Sequence, residues 1–314
     1  MSPGLVYEIT PRCNLKCGFC YNVWPRDMGQ LDTAAAIAML SGVLEESQAA
    51  WLAYAGGEPL LYEGIETVVA AVRSRFPHVR QGVATNATML TPRRLGRLIE
   101  AGIKYIEISL FAGDCGSYRQ LTGAGAFDAV RCSIAEVRRH GVPLTVATLL
   151  SLATGQHLET VMDIAFALGA NMIALNRFIP TGRGKINQGQ FALTTDQLDG
   201  LLTRANRKAG GFGIPVAVTL PVEDCLLPHA NYPNLQFGRC YCGESKWAID
   251  PLGRLRTCEQ NAEVLGSLLE ASFSTLVSLP AVKAFRSNKA SAACLDCRRF
   301  ASCGGGCRFA ARDA

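Results

Sequence analysis

The sequence has almost nothing that would carry it to a membrane or out of a reducing compartment. Its first residues, MSPGLVYEIT, lack the basic stretch and apolar run of a signal peptide. The longest stretch free of Asp, Glu, Lys and Arg runs from Gly141 to Leu158 and contains Pro143, Gly155, Gln156 and His157. It reads as a buried strand entering a loop, not a membrane span. There is no internal repeat and no low-complexity tract. Histidine is scarce: His78, His140, His157 and His229 lie far apart and read as surface or helix-end residues. Charge of one sign is scarce too. The net charge is +5, with Arg and Lys scattered, so no basic patch marks a nucleic-acid site, and at most a partner of acidic character is implied. These absences predict a cytoplasmic chain with no membrane and no nucleic-acid partner.

Cysteine is what the chain does have. Thirteen cysteines among 314 residues, in a compartment that keeps thiols reduced, argue for metal ligation and against disulfides. Hydrophobic content of 49% is enough for one large α/β domain and a smaller one.

Short apolar, β-rich runs recur at 5–10, 51–55, 82–85, 105–110, 143–150 and 172–178. Helix-period stretches lie between them at 33–46, 63–75, 92–101, 127–140 and 158–168. Thr91-Pro92 is a helix start, and Gly102, Gly141 and Gly169 sit where helices stop. Six βα units in series imply a parallel sheet with right-handed crossovers. Six is short of the eight of a closed barrel, so the reading is a partial (β/α)6 TIM-like barrel or an open doubly wound sheet. Either way, reactive groups belong in loops after the strand C-termini. The segment Pro180–Gly184 reads as a loop, a helix is expected over 195–209, and strands are expected around the turn at Pro251–Gly253. The expected division is 1–185 for the barrel, 186–224 as a bridge, and 225–314 as a small cysteine-rich domain.

CNLKCGFC follows the first strand, placing Cys13, Cys17 and Cys20 in the first βα loop with spacing C-x3-C-x2-C. Zinc would want a fourth ligand, and no CxxC partner or histidine lies near. Three thiolates suit a 4Fe–4S cluster with one iron left open. With Phe19 before the last cysteine, the motif resembles that of the radical S-adenosylmethionine (SAM) superfamily. Gly56-Gly57-Glu58-Pro59 after the second strand resembles the family's GGE motif, which implies that it binds the amino group of SAM, with a carboxylate to pair with an ammonium. Thr85 and Asn86 end the third strand where relatives place polar contacts to SAM. Ser109 resembles the ribose-contacting serine of an S-x-D-G pattern, although Phe111 replaces the Asp. Arg119 lies where relatives often keep an arginine for the SAM carboxylate. The resemblance implies that the open iron chelates SAM and that the reduced cluster cleaves it to a 5′-deoxyadenosyl radical, which abstracts hydrogen from a second substrate.

Cys240, Cys242, Cys258, Cys294, Cys297, Cys303 and Cys307 form a second field. The C-x12-G-x4-C and C-x2-C-x5-C-x3-C spacings resemble the SPASM extension, which holds auxiliary 4Fe–4S clusters. That resemblance implies a first auxiliary cluster on Cys240, Cys258 and Cys307 with Cys242 or Cys225 as the fourth ligand, and a second on Cys294, Cys297 and Cys303. The family's final cysteine has no counterpart after Cys307, so the second cluster is expected to have an open iron or to be lost. Zinc in the C-x2-C-x5-C-x3-C knuckle is the alternative. Cys132 reads as a helix core residue. Cys115 follows the fourth strand, near the presumed site, where it has room for a role as hydrogen donor or thiol ligand. Arg177 and Arg183 in NRFIPTGRG resemble a loop of peptide-modifying relatives, or serve as a linker.

The resemblance points to an oxidoreductase that matures a ribosomally made peptide by crosslinking, epimerisation or a related step. Twelve residues precede Cys13, so a separate leader-recognition protein or a direct groove is expected, with an electron donor such as flavodoxin or ferredoxin. The alternatives are a tetrapyrrole or modified-haem side-chain enzyme, a formylglycine-forming enzyme, and a non-catalytic iron–sulfur electron carrier.

Overall fold

The structure, a computed structural model, describes residues 3–287, 294 and 296–310. The six expected strands are present: β1 (Gly4–Thr10), β2 (Trp51–Gly56), β3 (Arg80–Thr85), β4 (Ile103–Ser109), β5 (Leu144–Leu150) and β6 (Met172–Arg177). Helices Thr33–Ser47, Ile65–Arg75, Pro92–Ala101, Phe127–Arg139 and Leu158–Ala167 alternate with them, and Thr195–Ala209 follows. Local chemistry sets the boundaries. The Thr91 hydroxyl accepts from Arg94 N with Pro92 in the first turn, and Thr194 forms a capping box with Gln197. Among the described residues, no helix is long and apolar enough to cross a membrane.

Several elements differ from the expectation. Two short strands, β7 (Val216–Val218) and β8 (Gln236–Phe237), are additions, as is helix Cys115–Thr122. The segment expected as a loop at Pro180–Gly184 turns into helix Gly182–Ile186. Cys132 is exposed, not core. Its helix buries Phe127, Val130, Ser133, Ile134 and Val137, a stripe at helical spacing that leaves position 132 on the solvent side. As expected, strands β9 (Lys246–Ile249) and β10 (Arg254–Arg256) pair on either side of the turn at Pro251–Gly253, and β11 (Gly266–Ser267) follows. The chain end after Ala310, with the expectation of a missing final cysteine, lies outside the described residues.

The chain forms two compact units. One comprises the described residues of 1–14, 22–107 and 241–287, the other those of 15–21, 108–240 and 288–314. In the first, the strand order is β11-β10-β9-β1-β2-β3-β4, with β2 and β9 both parallel to β1. Every residue of β1 is buried, as befits a strand covered on both faces. Its register against β2 shifts between Glu8 and Thr10, at the end from which the cysteine loop departs. In the second unit, β5, β6, β7 and β8 run parallel in that order.

A charge on a fully buried strand needs an answer. Glu8 is met by Arg256 of β10, itself 1% exposed, whose guanidinium also donates to the Glu259 and Asn261 carbonyls and stacks on Trp24 at 4.2 Å. Burial pushes the Glu8 carboxyl above its ordinary value, and Arg256 pulls it back. Removing one partner strands the other. Arg256→Met is expected to cost about 3–5 kcal/mol, and adding Glu8→Leu to recover most of it. Denaturant unfolding of the single and double variants measures this.

Candidate active site

In the first unit the GGE loop is folded against the chain leaving β1. Gly57 N donates to the Thr10 carbonyl and Glu58 N to the Arg12 carbonyl, both at 2.7 Å. The approach is too close for a side chain: a Cβ on Gly57 would lie 2.1 Å from the Arg12 oxygen, and one on Gly56 would lie 2.5 Å from the Thr10 oxygen. The two glycines are therefore required by the backbone that presents Cys13.

Glu58 is held within this unit by three hydrogen bonds. Its carboxylate is 1% exposed and turned inward, with Oε1 accepting from Thr85 Oγ1 at 2.6 Å and Leu60 N at 3.1 Å, and Oε2 accepting from Asn86 N at 2.8 Å. Burial raises its pKa, and these three bonds oppose the rise. The carboxylate ties the end of β2 to the end of β3, and the Gly56 carbonyl takes a bond from Asn22 Nδ2 at 3.0 Å. Asn86 then reaches the cysteine loop. Its Nδ2 donates to Asn14 Oδ1 at 2.9 Å and lies 4.0 Å from Cys13 Sγ. Arg26 donates to the Cys13 carbonyl at 3.3 Å. This unit thus gathers Cys13, Gly56, Gly57, Glu58, Thr85 and Asn86.

In the second unit the rest of the loop, 15–21, is clamped by residues 182–191. Arg183 Nη1 donates to the Cys17 carbonyl at 3.2 Å, Asn187 Nδ2 to the Gly18 carbonyl at 2.9 Å, and Gly184 N to the Cys20 carbonyl at 3.0 Å. Phe19 is buried with Phe178 and Phe191, and its ring meets Phe111 edge-on at 4.6 Å. The residue that departs from the family pattern at 111 is therefore a packing partner of the residue inside the cysteine motif. Asn187 and Phe191 escape sequence reasoning, because neither carries a motif; of this clamp only Arg183 is legible beforehand. Lys16 N bonds to the Thr122 carbonyl at 2.7 Å, at the end of the helix that carries Arg119. Arg119 is exposed and Ser109 half-buried. Cys115 is exposed, with its thiol donating to Asp128 at 3.5 Å; slight desolvation and that bond push the thiol up, away from a reactive thiolate.

The second cysteine field also separates by unit. In the first, Cys242 and Cys258 flank the β9–β10 hairpin, and their sulfurs lie with a Glu259 carboxylate oxygen within 4.8 Å of one another. Lys246 Nζ is 2.6 Å from Glu259. Burial pulls the Lys246 ammonium down, but Glu259 and the two thiols hold it well above its ordinary value. In the second unit Cys240 and Cys307 are both buried, and Arg308 Nη1 approaches Cys240 Sγ at 3.6 Å. Gly304, Gly305 and Gly306 all have positive φ, a turn that returns the chain to Cys307. Among the described residues no cysteine is joined in a disulfide. A buried, unbridged set of sulfur donors with no histidine among them fits iron–sulfur ligation.

An α/β protein with a cysteine loop at the end of its first strand and a cysteine-rich tail belongs to the iron–sulfur enzymes. The particular family follows from comparison. The model of the Radical SAM superfamily matches residues 7–168, just over half of the chain, and the chain belongs to that superfamily. It is an enzyme whose cofactors are a 4Fe–4S cluster and SAM. The PqqA peptide cyclase of Methylocella silvestris is 26% identical over 325 residues, covering 97% of this chain and 82% of that protein. The pre-heme d1 synthase of Dinoroseobacter shibae is 25% identical over 338 residues, covering 98% and 82%. Among solved structures, Streptococcus suis SuiB bound to precursor peptide SuiA superposes with a TM-score of 0.77 at 16% identity, covering all of this chain and 75% of that one. The enzyme anSMEcpe with bound AdoMet gives 0.77 at 17%, covering 99% and 91%. These likenesses show the fold, the α/β series of βα units read from the sequence with its cysteine-rich C-terminal segment.

Two substitutions test the loop contacts. Gly57→Ala forces the Cys13 backbone away and is expected to lower both the thermal midpoint and iron uptake. Gly96→Ala, where a Cβ meets nothing within 4 Å, is expected to leave iron unchanged and to stabilise its helix by about 0.5–1 kcal/mol. Glu58→Gln turns an amide toward the Asn86 N–H and is expected to cost about 1–3 kcal/mol in denaturant unfolding.

Proposed function

We propose that this enzyme is a peptide maturase of the SPASM type, acting on a ribosomally synthesised peptide. The observation that carries the reading is the likeness to PqqA peptide cyclase along 97% of the chain. The fold shared with SuiB, a structure that holds a precursor peptide, supports it. Cys13, Cys17 and Cys20 would hold the SAM-binding 4Fe–4S cluster, which would supply reductive one-electron chemistry toward SAM. The chain's own residues position and exclude. Gly56 and Gly57 bring the backbone of the second loop against the first. Glu58 and Thr85 fix the end of β3, so that Asn86 stands beside Cys13. Phe19, Phe111, Phe178 and Phe191 pack together and anchor the loop 15–21 within the second unit. Ser109 and Arg119 are assigned to SAM.

In this reading, residues 1–185 are the catalytic domain, 186–224 a bridge, and 225–314 the auxiliary-cluster domain. Cys240, Cys242, Cys258 and Cys307 hold the first auxiliary cluster. The protein works in the cytoplasm, receives electrons from a flavodoxin or ferredoxin, and meets its peptide through a separate leader-recognition protein. The equally extensive likeness to pre-heme d1 synthase supports a second reading, a tetrapyrrole side-chain enzyme.

Anaerobic protein given SAM and dithionite is expected to release 5′-deoxyadenosine, and the Cys13/Cys17/Cys20→Ala triple variant none. Iron is expected at about twelve per chain, falling to about eight in the triple variant. Offered precursor peptides and a propionate-bearing tetrapyrrole in parallel, the enzyme is expected to change the mass of a peptide. A change in the tetrapyrrole alone would transfer the assignment to the second reading.

A further inference from the structure

In the sequence Cys225 competes with Cys242 for the fourth place in the first auxiliary cluster. It lies in the second unit, in a turn closed by Leu226 N and Leu227 N donating to the Glu223 carbonyl at 3.0 and 3.1 Å. Two contacts seat this turn on the C-terminal cysteine segment. Arg299 Nη1 donates to Asp224 Oδ2 at 2.8 Å, and the Glu223 carboxylate packs so closely on Gly306 that a Cβ there would lie 2.3 Å from it. Cys225 and Cys294 line one cavity of about 290 Å³ in this unit.

The rest of the C-x2-C-x5-C run is wound together. Cys297 N bonds to the Cys294 carbonyl at 3.3 Å, Phe300 N to the Cys297 carbonyl at 3.0 Å, and Cys303 N to the Arg299 carbonyl at 2.9 Å. Cys240, in contrast, lies 3.6 Å from Arg308 Nη1, and a Cβ at Gly304 would lie 3.4 Å from the neighbouring Arg239.

We propose that Cys225 is the fourth thiolate of the auxiliary cluster whose other ligands are Cys294, Cys297 and Cys303. The assignment rests on the cluster-binding reading of the tail. It reverses the expectation that this cluster has an open iron. Four thiolates complete a 4Fe–4S cluster, so no iron there is free to bind a substrate sulfur. It also removes Cys225 from the first auxiliary set and leaves Cys242 as the companion of Cys240, Cys258 and Cys307.

The test uses the full chain, reconstituted anaerobically. Cys225→Ala in the Cys13/Cys17/Cys20→Ala background is expected to fall from about eight irons to between about four and seven, with a three-iron signal in the electron paramagnetic resonance spectrum of the oxidised protein. Iodoacetamide labelling read by mass spectrometry gives a measurement that needs no variant. Cys225 is exposed in the structure, as is Cys132. In loaded protein Cys225 is expected to resist alkylation while Cys132 reacts, and after chelation of the iron both are expected to react. Labelling of Cys225 at the rate of Cys132 in loaded protein, or unchanged iron in the variant, would overturn the assignment and leave the auxiliary clusters standing. About four irons in wild type would instead overturn the auxiliary-cluster reading itself, and the Cys225 assignment with it.

Discussion

Two short backbone bonds, from Gly57 to Thr10 and from Glu58 to Arg12, govern the arrangement of the first catalytic loop. They fold the end of β2 onto the chain leaving β1 at a distance that admits no Cβ. Everything around Cys13 depends on that approach. With the loop in place, the Glu58 carboxylate is buried beneath it and must find donors, since an unpaired carboxylate there would be costly. It finds Thr85, Asn86 and Leu60. Those bonds set the end of β3, and Asn86 in turn reaches Asn14 and Cys13. One steric requirement thus propagates through a hydrogen-bond chain to the metal-ligating thiol.

The remainder of the loop is held by different means. Three carbonyls, of Cys17, Gly18 and Cys20, each accept a bond from the segment 183–187. These bonds engage the loop backbone, while the Cys17 side chain packs against Phe19, Phe178 and Phe191. Phe19, between the second and third cysteines, anchors the loop by burial among aromatic rings. The replacement at Phe111 is coherent in this setting. A residue that contacts Phe19 at 4.6 Å needs to be large and apolar, and an aspartate there would be desolvated without a partner.

Much of the fold was legible because its signals are local. Strand runs, helix periods, the Thr91-Pro92 start and the glycine stops depend on neighbours within a turn or two, and the six principal strands appear where these signals put them. The misses are elements whose identity depends on distant partners. Val216–Val218 is too short to show a period and is a strand because it pairs with β6. Gly182–Ile186 is glycine-rich, which reads as loop, yet its turns are positioned by bonds to the cysteine loop. Cys132 was misplaced because small apolar residues occur on both sides of its helix, and only packing decides which side is core.

For the site, the sequence by itself determined the chemistry: three cysteines at C-x3-C-x2-C after a strand, a GGE loop after the next, and a tail rich in cysteine. Spacing and residue type suffice there because ligand identity is a property of side chains. Only the tertiary structure decided how those side chains are used. It turned the Glu58 carboxylate inward and recruited Asn187 and Phe191 to the cysteine loop. Such choices depend on which backbone segments approach closely enough to bond, and sequence spacing carries no record of that distance.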